Sequence, residues 1–293
     1  MPRVHRNRLF IAVLTLAFLP LSSCSDSDAN ATADAAYVEN RLIDWRAYAD
    51  KHSAVDSEIK LRTHIESCGS LYYALDLKTR YGYKLTLANK YLWEAQYDHA
   101  LRICASPMHQ IERQSPNRLG LMIYLCVLTH NKIALDNLNT YAGDSWKPLI
   151  AVALDAINDH TDKALPKLQQ AATAFHDALN PKIATQAFFE MMILSESLWH
   201  DSSSLTAYDT LLQCVGDPNF KTTITDHEIA VWIESRIAEW AIELDQIDDG
   251  WIYLEDLTVY CRGLHLNNPS YENRLKSLLT ELDRREAIRN KPI

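Results

Sequence analysis

Leu87-Ala88-Asn89-Lys90-Tyr91-Leu92-Trp93-Glu94-Ala95-Gln96-Tyr97-Asp98-His99-Ala100-Leu101 reads as the end of one helix, a tight corner and the start of a second. Small Ala88 and Ala100 fall where two antiparallel helices must approach closely, and Leu87 and Tyr91 fill the space beside them. Outward from this stretch, apolar residues recur at about 3.6-residue spacing from Tyr37 onward, without convincing strand alternation. Seven glycines in 293 residues and 47% hydrophobic residues agree with helices packed on helices, not with a turn-rich β protein. The expected fold class is all-α.

The quoted stretch resembles the tetratricopeptide repeat: leucine and a small residue, tyrosine three further on, a short corner, then tyrosine, acid and alanine. Cys104 stands where that family has an aromatic residue. Pro107 stands where it has alanine, so the second helix should end or bend early. The resemblance implies a tetratricopeptide-like solenoid, a right-handed superhelix of antiparallel helix pairs. With Ala100 as the marker of a second helix, Ala134 with Leu138, Ala164 with Leu168, Ala207 with Leu211 and Gly250 with Leu254 continue the pattern, at spacings of 34, 30, 43 and 43 residues. Turn-forming runs fall between these units, at Ser115-Pro116-Asn117, Gly143-Asp144-Ser145, Asn180-Pro181, Gly216-Asp217-Pro218-Asn219 and Asn267-Asn268-Pro269-Ser270. Helices over Tyr37 to Asp50 and Asp56 to Tyr83 should cover one end of the array, and Tyr271 to Ile288 the other.

The N-terminus has a different logic. Arg3, Arg6 and Arg8 precede an apolar run from Leu9 to Leu19, and Leu21-Ser22-Ser23 then lead into Cys24. At roughly 1.5 Å per helical residue, the run is too short to cross a hydrocarbon core of about 30 Å. The order of features resembles a bacterial lipoprotein precursor. That resemblance implies a signal peptide over residues 1–23, lipidation at Cys24, and, with Ser25 in place of aspartate, an outer-membrane protein facing the periplasm. Residues 24–36 are small, polar and acidic, which predicts a flexible tether; residues 37–293 form the helical domain.

Removing residues 1–23 takes away three arginines, leaving 26 basic against 38 acidic residues and a balance of −12. Such a charge excludes nucleic acid as a partner and confines membrane contact to the N-terminal lipid. Among the mature cysteines Cys68, Cys104, Cys126, Cys214 and Cys261, a Cys104–Cys126 disulfide is the pairing expected if one forms, because the two lie on consecutive helices. No nucleophile elbow, zinc-protease helix, phosphate loop or C-x-x-C pair occurs, so the reading is of a non-enzyme with no cofactor and no metal. His64/Cys68 and Cys126/His130 are four apart, a spacing that arises often by chance on helices. Asp226-His227-Glu228 suits the first turn of a helix. The richest surface signal is aromatic and basic: Tyr73, Tyr81, Tyr83, Lys84, Lys90 and Trp93 are the candidate partner-binding residues. Together these features predict a lipid-anchored periplasmic scaffold or adaptor for secretion, envelope assembly or cell-wall enzymes, holding a protein or peptide in a concave face. An immunity lipoprotein against a periplasmic toxin and a cell-wall-acting enzyme are the alternatives.

Overall fold

The computed structural model describes residues 25–75, 77–104, 115–160, 163–199, 201–263 and 269–290, and every regular element among them is helical. None of the described helices is long and apolar enough to cross a membrane. Cys24 and Pro107 lie outside the described residues.

α1 (Ser25–Ala49) and α2 (Ala54–Cys68) form the first hairpin. Residues 25–36, expected as a tether, are instead the first half of α1. Their five alanines favour helix. The first buried side chain described is Val38, in keeping with an N-terminal half that has nothing apolar and large to bury. Ser53 caps α2, accepting from the Asp56 amide at 3.1 Å while donating to its carboxylate at 2.8 Å. The helix expected over Asp56 to Tyr83 is broken at Gly69, whose φ of 53° ends α2 in a conformation that glycine adopts readily. A 3-10 turn over Gly69–Ala74 leads into α3 (Leu77–Trp93).

α3 and α4 (Tyr97–Cys104) form the hairpin written in the quoted stretch, with Leu87, Ala88, Tyr91 and Ala100 all buried. Its corner turns on Ala95 at φ 55°, and the Gln96 amide reaches back to the Tyr91 carbonyl at 2.9 Å. The same device recurs three times. α5 (Pro116–Leu128) passes to α6 (Lys132–Tyr141) through His130, α7 (Lys147–Ile157) to α8 (Ala164–His176) through Asp159, and α12 (His227–Glu243) to α13 (Ile247–Gly263) through Asp245, each with positive φ and the same backward hydrogen bond. α9 (Pro181–Ser197) and α10 (Ser204–Gly216) make the remaining hairpin, followed by the short α11 (Pro218–Thr223) and the closing α14 (Pro269–Arg289).

The corners set the register of the second helices. Five residues after each left-handed position stands a buried Ala100, Leu135, Ala164 or Gly250. The marker in α6 is thus Leu135, fully buried, and not the expected Ala134, which is only half-buried. Ala207 and Leu211 hold the matching face of α10.

Contacts are not confined to neighbouring hairpins. α14 returns to pack on α3, α12 touches both α3 and α5, and α5 packs against α4, α6, α7 and α9. Every residue of α5 from Asn117 to Val127 is buried, and α9 and α12 are nearly as enclosed. These three helices form the centre of one continuous apolar core running from Val38 to Leu282. The ends are tied by Glu94, whose Oε1 accepts from the Ala54 amide of α2 at 2.7 Å and from the Ser270 hydroxyl of α14 at 2.6 Å.

α5 and α9 approach so closely that a Cβ on Gly120 would lie 2.1 Å from Phe189 Cδ2, and Phe189 is itself fully buried. Gly120→Ala should therefore cost about 1–3 kcal/mol by overpacking, and calorimetry should show a melting temperature several degrees lower. The opposite sign is expected at the exposed corner, where Ala95→Gly relieves a left-handed backbone and should add about 0.5–1 kcal/mol in urea unfolding.

Candidate functional site

The C-terminal half of α12 carries Arg236, Glu239, Trp240 and Glu243, spaced to share one helix face. Tyr124 from α5, Glu196 from α9, Arg274 from α14, Tyr97 from the start of α4 and Trp199 just beyond α9 surround that face. Arg236 is the hub: Nη2 donates to Glu196 Oε1 at 2.8 Å and Nη1 donates to Glu239. Glu239 also takes Arg274 at 2.6 Å, and Glu196 accepts from the Tyr124 hydroxyl. The guanidinium of Arg236 lies 5.4 Å from the Trp240 ring centroid, and Trp240 stacks on Trp199 at 5.1 Å. The side chains of Glu196, Arg236, Glu239 and Arg274 keep 13–18% of their surface exposed, so the cluster is a recess that reaches solvent. Arg236 Nε and Trp240 Nε1 are buried donors with no hydrogen-bond partner.

Electrostatics fix the protonation states. Burial, then the charge of Glu196, holds the Tyr124 phenol well above its ordinary range, and burial raises that of Tyr97. Burial works against the charged Arg236, but Tyr124, Glu196 and Glu239 outweigh it and keep the guanidinium charged. Burial and then the like charge of Glu239 raise the Glu243 carboxyl, against a hydrogen bond from Trp199 that lowers it. The recess thus offers charged groups and indole faces, a chemistry suited to recognition.

A second polar network sits at the other end of α5. Arg118 Nε and Nη2 reach Asp226 Oδ2 at 2.8 and 2.7 Å, and Nη1 donates to Asn89 Oδ1 at 2.8 Å. Asn117 donates to the Thr223 carbonyl at 2.8 Å and accepts from the amides of Thr225 and Asp226. Asp226 caps α12 as the sequence implied, and Glu228, raised by burial, accepts from the Trp93 indole. This network joins helices and offers little to solvent.

The expected partner surface on α3 is corrected by the fold. Tyr83 packs edge-on to Trp45 at 5.7 Å beneath Arg46, Lys90 is buried with Nζ donating to the Ala49 carbonyl at 2.7 Å, and Trp93 packs edge-on to Tyr271 at 4.6 Å. Burial, then Arg80, lowers the Lys84 ammonium, and that side chain is half-buried. The reason is packing: α1, α2, α4, α12 and α14 all press on α3, turning its aromatic residues into core. The side chains of Tyr73, Tyr81 and Cys261 lie outside those described.

The Cys104–Cys126 pairing, expected only if a bridge formed, is not made: both are buried free thiols. Cys104 lies near Arg118, at the beginning of α5, whereas Cys126 is eight residues on, a separation of ~12 Å along the helix. Consecutive helices do pack, but these two cysteines face opposite ends of α5. Burial pushes the thiols up to about 11 and about 12, respectively.

The α12 recess was legible only as an oddity: charged residues at helix-face spacing within an otherwise apolar run. No protein-family model, curated protein or solved structure matches the chain. Arg236→Met should cost about 3–5 kcal/mol in urea unfolding, because it leaves the largely buried Glu196 carboxylate without its cation, while Glu239 keeps Arg274; adding Glu196→Gln should recover part of that loss.

Proposed function

We propose that the chain is a lipid-anchored protein-binding scaffold of the bacterial cell envelope, held by lipid on Cys24 at the outer membrane and facing the periplasm. The ordered N-terminal features ending in Leu21-Ser22-Ser23-Cys24 carry this reading. Its body is read as a set of tetratricopeptide-like hairpins. The repeated left-handed corners at Ala95, His130, Asp159 and Asp245, each followed five residues later by a buried helix contact, support that reading.

With α3 withdrawn into the core, the α12 recess is the better docking place. Half-buried Trp199 and exposed Glu243 stand at its rim, suited to a protein segment that brings an apolar group and a cationic side chain. The mature balance of −12 also favours a basic partner, which keeps the immunity reading as the second choice.

Metabolic labelling with palmitate should mark the wild type in the outer-membrane fraction and fail with Cys24→Ser. A partner drawn from native envelope by the wild type should be lost at least ten-fold with Trp199→Ala/Glu243→Lys. An unlabelled, cytoplasmic wild-type protein would overturn the anchoring, and equal capture by the recess variant would overturn the docking place. A single basic toxin held equally by anchored and unanchored forms would favour immunity.

A further inference from the structure

Away from the recess, four side chains from four elements meet in a chain of close contacts. His176 ends α8, and its Nδ1 lies 2.7 Å from Oδ2 of Asp217, the residue that caps α11. Its Nε2 faces Cys214 Sγ of α10 at 3.9 Å. That sulfur in turn lies 3.5 Å from Met191 Sδ of α9.

We propose that Cys214, Met191 and His176 form a binding site for one soft monovalent metal ion, Cu(I) or Ag(I), with Asp217 orienting the imidazole. The distances permit it. Cu(I), d10 like Zn(II), bonds at roughly 2.3 Å to sulfur and 2.0 Å to nitrogen, distances that Ag(I) exceeds by a few tenths of an ångström. Taken pairwise, one ion can span the two sulfurs at an angle of about 100°, or Sγ with Nε2 at about 130°, and a small rotation of the partly exposed imidazole about Cys214 would bring the third donor to the same ion. A thiolate and a thioether together select a soft ion. Among the described residues, no three His, Cys, Asp or Glu side chains converge as a zinc site requires, so it is the thioether of Met191 that completes this set.

Charge argues the same way. Cys214 and Met191 are fully buried, and a thiolate bound to a monovalent ion is neutral, whereas a divalent ion would leave a net charge in the core. Binding exchanges one proton for one ion: the S–H bond breaks, the sulfur–metal bond forms, and the proton leaves to solvent with no change of oxidation state. His176 provides the entry, its side chain being 41% exposed. The carboxylate on Nδ1 holds the ring with Nε2 toward the sulfurs, as outer partners of metal-bound histidines do. Phe175 edge-on to the ring, at 5.7 Å, helps keep water out. The proposal is independent of how the chain is anchored.

The test titrates the reduced, full-length protein anaerobically with Cu(I) against bathocuproine disulfonate, with Zn(II) as the control ion. The wild type should retain one equivalent of Cu(I) that Cys214→Ala does not, show thiolate-to-metal absorption in the ultraviolet, and hold Zn(II) weakly. His176→Asn alters a partly exposed side chain and Met191→Leu conserves core volume, so both should fold, as thermal melts will show, and both should weaken Cu(I) roughly ten-fold or more. Equal retention by wild type and Cys214→Ala would overturn the site. So would wild-type affinity in both His176→Asn and Met191→Leu, which would reduce the binding to that of an ordinary thiol.

Discussion

The close approach of α5 to α9, with Gly120 against the ring of Phe189, is the constraint on which the rest of the packing depends. A side chain at Gly120 would push two central helices apart. Both are buried nearly all round, so neither could move without displacing other layers: α4, α6, α7 and α12 around α5, and α7, α8, α10 and α11 around α9. Interiors packed to crystal-like density transmit such a shift and do not absorb it.

Polar anchors at the two ends of α5 decide which helices meet there. At its start, Asn117 and Arg118 reach α3, α9 and the entry to α12; near its end, Tyr124 joins Glu196 and Arg236. Apolar contacts alone would tolerate sliding of one helix along another. Directional hydrogen bonds in a low-dielectric interior do not, because a displaced partner leaves a buried charge without compensation. The arrangement at the second end also leaves Arg236 Nε and Trp240 Nε1 buried without a hydrogen-bond partner.

Closure separates this chain from an idealised stack of repeats, in which each unit touches only its neighbours. Glu94 links α2, the first corner and α14, while Tyr271 of α14 packs on Trp93. The helices that would line an open groove instead fill the centre. Exposed surface is therefore carried by the outer helices, and the polar groups of the α12 cluster reach solvent only in part.

The sequence by itself determined the all-α class, the hairpin over Leu87–Leu101, the capping role of Asp226 and most unit boundaries. These come from local rules: helical periodicity, small residues at close contacts, and turn chemistry read within a few residues. It misjudged Ala134 against Leu135 by one position because both are apolar, and only the left-handed corner at His130 fixes which one faces inward. Residues 25–36 lacked anything to bury, yet alanine's intrinsic preference is enough for helix. Tertiary structure alone decided that Tyr83, Lys90 and Trp93 are core, that Cys104 and Cys126 face different ends of α5, and that Arg236 meets carboxylates from two helices. Each depends on contacts between residues tens of positions apart, and no local pattern records which faces of two distant helices will meet.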